Sequence, residues 1–98
     1  MAKYDVHRAS DGAMLLDCQS DMLTHLSTRL VVPLVSPGDG IQIDNRLTPL
    51  LDVAGSEMLM LTHLASAVPA NALGRPVATV ANQEYVVSNA LDVLITGF

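Results

Sequence analysis

Few residues of this chain have the type and spacing that chemistry needs. Asp17, Asp21 and His25 follow one another at intervals of four, which would align them on one face of a helix. Such a row is the raw material of acid–base catalysis, but the residues before Asp17 read as a strand, and on a strand the alignment fails. The two acids are therefore expected as solvated turn carboxylates and His25 as a surface histidine. His7, His25 and His63 show no metal-ligand spacing. Cys18 lies between Asp17 and Gln19, with no base beside it to lower its pKa, so a buried, inert thiol is expected. No phosphate-binding loop, dinucleotide fingerprint or nucleophile elbow occurs. Gly38-Asp39-Gly40 is loop punctuation, because no Lys or Ser/Thr follows where a phosphate cradle needs one. No catalytic residue, cofactor or metal is expected.

The bulk composition points the same way. The 98 residues suit one domain, spanning residues 1–98, that buries roughly 60–70% of the surface its unfolded chain exposes. Half the residues are hydrophobic, and the aromatics are only Tyr4, Tyr85 and Phe98, so the core must be aliphatic. Charged residues make up 15%, against about 25% in ordinary domains. So much apolar and so little charged surface suggests a homodimer that hides the excess. Ten acidic residues oppose five basic ones, for a net charge of −5. Lys3, Arg8, Arg29, Arg46 and Arg75 are scattered, which argues against direct phosphate neutralisation and for a basic protein partner. The lone Cys18 fits a reducing cytoplasm. The first residues carry no signal-peptide core, and the apolar run Leu30 to Val35 is far too short for a membrane span.

The elements that would position any site are mostly strands. Lys3 to Arg8 and Ala13 to Gln19 read as a hairpin turning at Ser10-Asp11-Gly12. Tyr4, Val6 and Arg8 would share one face of its first strand, with Lys3, Asp5 and His7 on the other. Arg29 to Val35 is a third strand, expected at an edge or bulged because Pro33 lacks an N–H. Leu50 to Val53 and Glu57 to Thr62 form a second hairpin around Ala54-Gly55-Ser56. Met58 and Met60, alternating with Leu59 and Leu61, suit a core strand buried on both faces. A short extended piece is expected at Val68-Pro69 and a turn over Leu73 to Pro76. From Gln83 to Ile95 the pattern changes. Val87, Ala90, Leu91 and Leu94 form one face of an amphipathic helix, with Asn82 as N-cap, Glu84 in the first turn and Gly97 at the C-terminal cap. Val86, Val93 and Ile95 widen its apolar band. Phe98, directly after the helix, is an unusual terminal residue, suited either to the core or to anchoring a partner.

Four segments in register resemble the CcdB toxin family. They are Leu16-Asp17-Cys18-Gln19-Ser20-Asp21-Met22-Leu23, Thr28-Arg29-Leu30-Val31-Val32-Pro33-Leu34, Met60-Leu61-Thr62-His63-Leu64-Ala65-Ser66-Ala67-Val68-Pro69, and the helix ending in Asp92-Val93-Leu94-Ile95-Thr96-Gly97-Phe98. The resemblance is weakest over 1–14 and 36–50. It implies a mainly β fold, an SH3-like barrel-type sheet with a small second sheet and one C-terminal helix, assembled as a homodimer. It also implies a toxin that binds the GyrA subunit of DNA gyrase and traps the cleaved DNA complex without catalysis of its own. A CcdA-type antitoxin would neutralise it and supply the DNA-binding surface for autoregulation. The resemblance carries the gyrase contacts onto Thr96, Gly97 and Phe98, onto Met22 and Leu23, and onto Asp92. Loops near Arg8 to Gly12 and Pro37 to Asn45 are candidates for the antitoxin. The family's best-known member has Trp at the place of Thr96, and Thr cannot supply its stacking on an arginine.

Two other readings compete. A MazF-type endoribonuclease toxin shares the barrel, and Arg29 with His25 or His63 is the sole candidate set for it, against the acidic balance. Alternatively, a family member without the Trp would bind a partner without poisoning gyrase.

Overall fold

Local chemistry writes the first hairpin. β1 (Asp5–Arg8) and β2 (Met14–Asp17) pair antiparallel, with Val6 opposite Leu16 and Arg8 opposite Met14. The turn between them is held by Asp11, whose carboxylate accepts the Ala13 N–H at 2.9 Å. The structure, a computed structural model, describes residues 2–38 and 44–97. It continues with β3 (Thr28–Val35), β4 (Leu50–Val53), β5 (Ser56–Met60), β6 (Ser66–Pro69), β7 (Pro76–Thr79) and one helix, α1 (Glu84–Thr96). Single 3-10 turns lie at Asp21–Leu23, Thr62–Leu64, Ala70–Ala72 and Ala81–Gln83. The architecture is the mainly β half-barrel with one helix that the resemblance implies.

The strands run in the order β4-β5-β3-β2-β1-β7, with β6 also on β3. The β4–β5 hairpin joins the rest through two residue pairs, Leu34 with Met60 and Val35 with Leu59. The small second sheet is thus continuous with the main one. Its turn is two residues long, Ala54-Gly55, between the closing pair Val53 and Ser56. Both turn residues have positive φ, 52° and 90°, as the tight hairpin turn with the right twist requires. Glycine adopts that geometry freely, alanine only under strain.

One sequence expectation fails here, and one strand was not foreseen. The Pro33 strand is not at an edge. β3 is central, with β2 on one side and β5 and β6 on the other. Pro33 is accommodated by a change of partner: β6 pairs up to Val31, and β5 begins at Leu34. In the interval the Pro33 carbonyl accepts the Leu61 N–H at 3.0 Å. The missing N–H points to the same side, where no strand requires it. The unforeseen strand is β7. It is an edge strand with a register shift against β1, and it lacks the alternation that marks a half-buried strand.

One face of the sheet carries Val6, Leu16, Val32, Leu34 and Met60, packed with Leu51, Val53, Val80 and the helix residues Val87 and Ala90. Each such fully buried aliphatic side chain contributes about 1.5–3 kcal/mol. Alternation sends His7, Asp17, Arg29, Val31 and Leu59 to the other face, and these are buried too. Both faces of β1 and of β5 are therefore covered, as foreseen for the Met58–Met60 segment but not for His7.

The helix cap falls one residue later than expected, at Gln83 instead of Asn82. Asn82 lies within the 3-10 turn Ala81–Gln83, and Gln83 holds the N-cap position without capping by its side chain. That side chain is engaged elsewhere. Gln83 Oε1 accepts the Asp52 N–H at 2.9 Å, and Nε2 donates to the Asp52 carbonyl at 2.7 Å. One amide thus satisfies both outward backbone groups of Asp52 on edge strand β4, as a neighbouring strand would. Among the described residues no helix is long and apolar enough to cross a membrane.

Candidate partner-binding site

The connection between β2 and β3 carries the first two predicted site residues. Ser20 caps the 3-10 turn Asp21–Leu23: its Oγ accepts the Met22 N–H at 3.2 Å and its carbonyl the Leu23 N–H at 3.0 Å. The Asp21 carboxylate accepts the Lys3 N–H at 2.8 Å. Every residue from 20 to 28 is exposed. Met22, at 87% exposure, stands almost free of the fold, and Leu23 is 41% exposed. Leu26 and Leu30 extend the apolar surface beside them.

The flanks of this connection are the reverse. Asp17 closes β2 and Arg29 is the second residue of β3, both essentially inaccessible. Arg29 Nε donates to Asp17 Oδ2 at 2.9 Å, with NH2 at 2.8 Å from the same oxygen. Asp17 was expected as a solvated turn carboxylate, and that is corrected. The β2–β3 register, which sets Asp17 opposite Val31, carries it to the same face as Arg29 two residues earlier. Asp21 and His25 are exposed as expected, and the row of Asp17, Asp21 and His25 does not form. Cys18 is buried, and burial first, then the neighbouring Asp17 carboxylate, pushes its thiol pKa up to about 12. The thiol is inert at neutral pH, as expected.

The other predicted residues sit at the end of α1. Asp92 and Thr96 are one turn apart and exposed, and the Thr96 hydroxyl donates to the Asp92 carbonyl at 2.6 Å. Gly97 terminates the helix at φ 81° in the left-handed region, and its N–H donates to the Val93 carbonyl at 3.0 Å. This is the cap foreseen for it. Among the described residues nothing lies within 4 Å of where a Gly97 Cβ would stand, so none of them covers the Gly97 backbone. Beside it Ile95 is 76% exposed. Phe98 lies outside the described residues, as does most of the Pro37 to Asn45 loop.

Asp92, Thr96 and Gly97 are brought together at the end of the helix, and Met22 and Leu23 on the 3-10 turn. The helix packs closely on the turns Thr62–Leu64 and Ala81–Gln83. The set Arg29, His25 and His63 is not assembled for acid–base work, since Arg29 is buried with its guanidinium engaged while both histidines are exposed. Among the described residues no group of three or more His, Cys, Asp or Glu could hold a metal ion.

Sequence reasoning missed a cleft of about 350 Å³ where β1 and β7 face the β4–β5 hairpin, lined by Arg8, Met14, Ser36, Val53, Met58 and Val77. Its walls come from strands far apart in sequence, so no local signal marks it. Arg8 of the candidate antitoxin loop reaches it.

Among solved structures, the fold is similar to the Mycobacterium tuberculosis toxin MazF-mt6, with a TM-score of 0.73 and 18% identity over 92% of this chain and 94% of that one. It is equally similar to a structure described as an Mtb toxin, with a TM-score of 0.73 and 17% identity over 92% of this chain and 99% of the other. At such identities the likeness is one of fold. The sequence matches the CcdB protein family over residues 3–97, which takes in all four resembling segments but for Phe98, and the chain belongs to that family, the toxins of toxin–antitoxin modules.

Proposed function

We propose that this toxin acts as a homodimer that binds the GyrA subunit of DNA gyrase and traps the cleaved DNA–gyrase complex. The observation that carries the reading is Met22. A long apolar side chain at 87% exposure, with the exposed Leu23, Leu26 and Leu30 close in the chain, makes an apolar patch of the kind that marks an interaction surface. In a toxin of this family the partner of choice is its target. Leu23, Asp92, Thr96, Gly97 and Phe98 complete the surface. The helix tip offers a backbone that a partner can approach closely, and Phe98 an anchor.

A dimer axis would repeat this surface for a two-fold symmetric target. No chemistry by the toxin is needed. Gyrase cuts, and the toxin binds the cut state more tightly, which shifts the equilibrium toward it. A CcdA-type antitoxin, disordered until bound, would neutralise it and carry the DNA contacts that an acidic toxin lacks. The cleft at Arg8, whose guanidinium makes no ion pair with the described residues, is the place we assign to part of that antitoxin. The protein would work in the cytoplasm, where gyrase is.

The test is a plasmid cleavage assay with purified gyrase and ATP, comparing the intact protein with Met22→Asp and with a variant lacking Gly97 and Phe98. Linear DNA with the intact protein alone supports the reading. No linear DNA from a folded dimer overturns it. One observation favours a second reading, a toxin fold that binds its partner without poisoning: the Thr96 hydroxyl proton is spent inside the helix, so Thr96 offers an outside partner only acceptor lone pairs. Binding to GyrA without linear DNA would establish it.

A further inference from the structure

We infer that Gln19 is the positioning residue of the Met22–Leu23 contact, and that the polar triplet Gln19-Ser20-Asp21 is scaffold rather than contact surface. The inference rests on the reading that this turn meets GyrA.

The β2–β3 ladder ends in an irregular way. Cys18 and Leu30 are opposite, and the Cys18 N–H donates to the Leu30 carbonyl at 2.9 Å. A regular antiparallel pair of this kind would return the Leu30 N–H to the Cys18 carbonyl. Instead that N–H goes to Gln19 Oε1 at 3.0 Å. The other end of the same amide, Nε2, donates to the Leu23 carbonyl at 3.1 Å. The two partners fix the orientation of the amide, since a backbone N–H requires its oxygen and a backbone carbonyl its nitrogen. One side chain therefore ties the end of a central strand to the last residue of an otherwise exposed turn.

Gln19 is itself held. Its N–H donates to Asp17 Oδ1 at 3.0 Å, and its carbonyl lies 3.4 Å from Arg29 NH2. The buried ion pair thus supports Gln19, and Gln19 supports the turn. Ser20 and Asp21 spend their side chains on the Met22 and Lys3 N–H groups. All three polar side chains of the triplet point their hydrogen bonds inward along the chain, and Met22 is what they leave outside. A turn fixed in advance loses less conformational freedom on binding.

Two variants separate positioning from general stability. Gln19→Glu keeps the acceptor for Leu30 but puts an oxygen against the Leu23 carbonyl. Gln19→Leu removes both bonds. Leu51→Val, a core change on β4 remote from the turn, is the control for mere destabilisation. The readouts are amide hydrogen exchange and affinity of the folded toxin dimer for GyrA. Exchange at Met22, Leu23 and Leu26, whose N–H groups bond within the turn, is expected to quicken in both Gln19 variants, and exchange at Leu30 only in Gln19→Leu. Affinity is expected to fall about tenfold in Gln19→Glu, the equivalent of one lost hydrogen bond, to fall at least as far in Gln19→Leu, and to hold in Leu51→Val. Unchanged exchange across the turn in Gln19→Glu overturns the inference. So does an affinity that follows thermal stability across all three variants. If Met22→Asp binds GyrA as tightly as the intact protein, the gyrase reading of this turn has failed, and exchange alone then decides whether Gln19 holds it.

Discussion

Two parts of one thirteen-residue stretch treat polarity in opposite ways. At its ends, Asp17 and Arg29 put full charges where solvent does not reach. Between them, Met22 and Leu23 put aliphatic side chains into water. The inner part follows the energetics of burial. An isolated buried charge is very unfavourable, whereas a hydrogen-bonded pair is tolerable. The outer part follows no folding requirement, since exposing Met22 contributes nothing to the monomer. The inner pair is explained by the fold, the outer pair by the partner proposed above, and in that proposal Gln19 is the link between them.

Substitutions should divide along that line. The largest effect is expected from Arg29→Met, which strands the Asp17 carboxylate and should lower unfolding free energy by about 3–5 kcal/mol. Adding Asp17→Asn, which keeps an acceptor for Gln19, should restore most of the loss in urea denaturation. If the double variant is no more stable than the single, the pair is not what matters there. Next comes Gly97→Ala, whose left-handed φ should cost about 1–2 kcal/mol, seen as fraying at Val93 to Thr96 by amide exchange and as weaker binding to GyrA. Gln83→Ala bares the Asp52 edge and should cost about 1 kcal/mol, with self-association in light scattering as the more specific sign.

Met22→Asp should change stability by less than about 0.5 kcal/mol yet abolish gyrase-dependent DNA cleavage. Were it to destabilise as Arg29→Met does, the contrast between the two parts would collapse. Cys18 has no expected effect at neutral pH. Its folded pKa, raised to about 12 against 9.0 for a free thiol, means that the unfolded chain loses its proton first. The stability from keeping the thiol neutral is present below pH 9 and is lost as pH rises through that window. A Cys18→Ala variant should show a shallower alkaline decline, and a thiol reagent at pH 8 should modify the native protein only as it unfolds.

Wherever a signal was local, the sequence was enough. Asp11-Gly12 and Ala54-Gly55 announced their hairpins because tight turns demand particular residues. The helix followed from the spacing of Val87, Ala90 and Leu91, and its stop from Gly97. The inertness of Cys18 followed from the lack of a base beside it. The four resembling segments identified the family because residue order survives where no contact is known. What depended on partners distant in sequence stayed hidden. Pro33 looks like an edge residue until β5 and β6 divide the far side of β3 between them. Asp17 looks like a turn acid until the β2–β3 register brings Arg29 to it. Asn82 outranks Gln83 as a helix cap until the Asp52 backbone lies within reach of the longer amide. Turn and helix propensities act over a few residues and can be read there, but the fate of a charge or a missing N–H is set by whichever strand arrives beside it, and only the assembled sheet decides that.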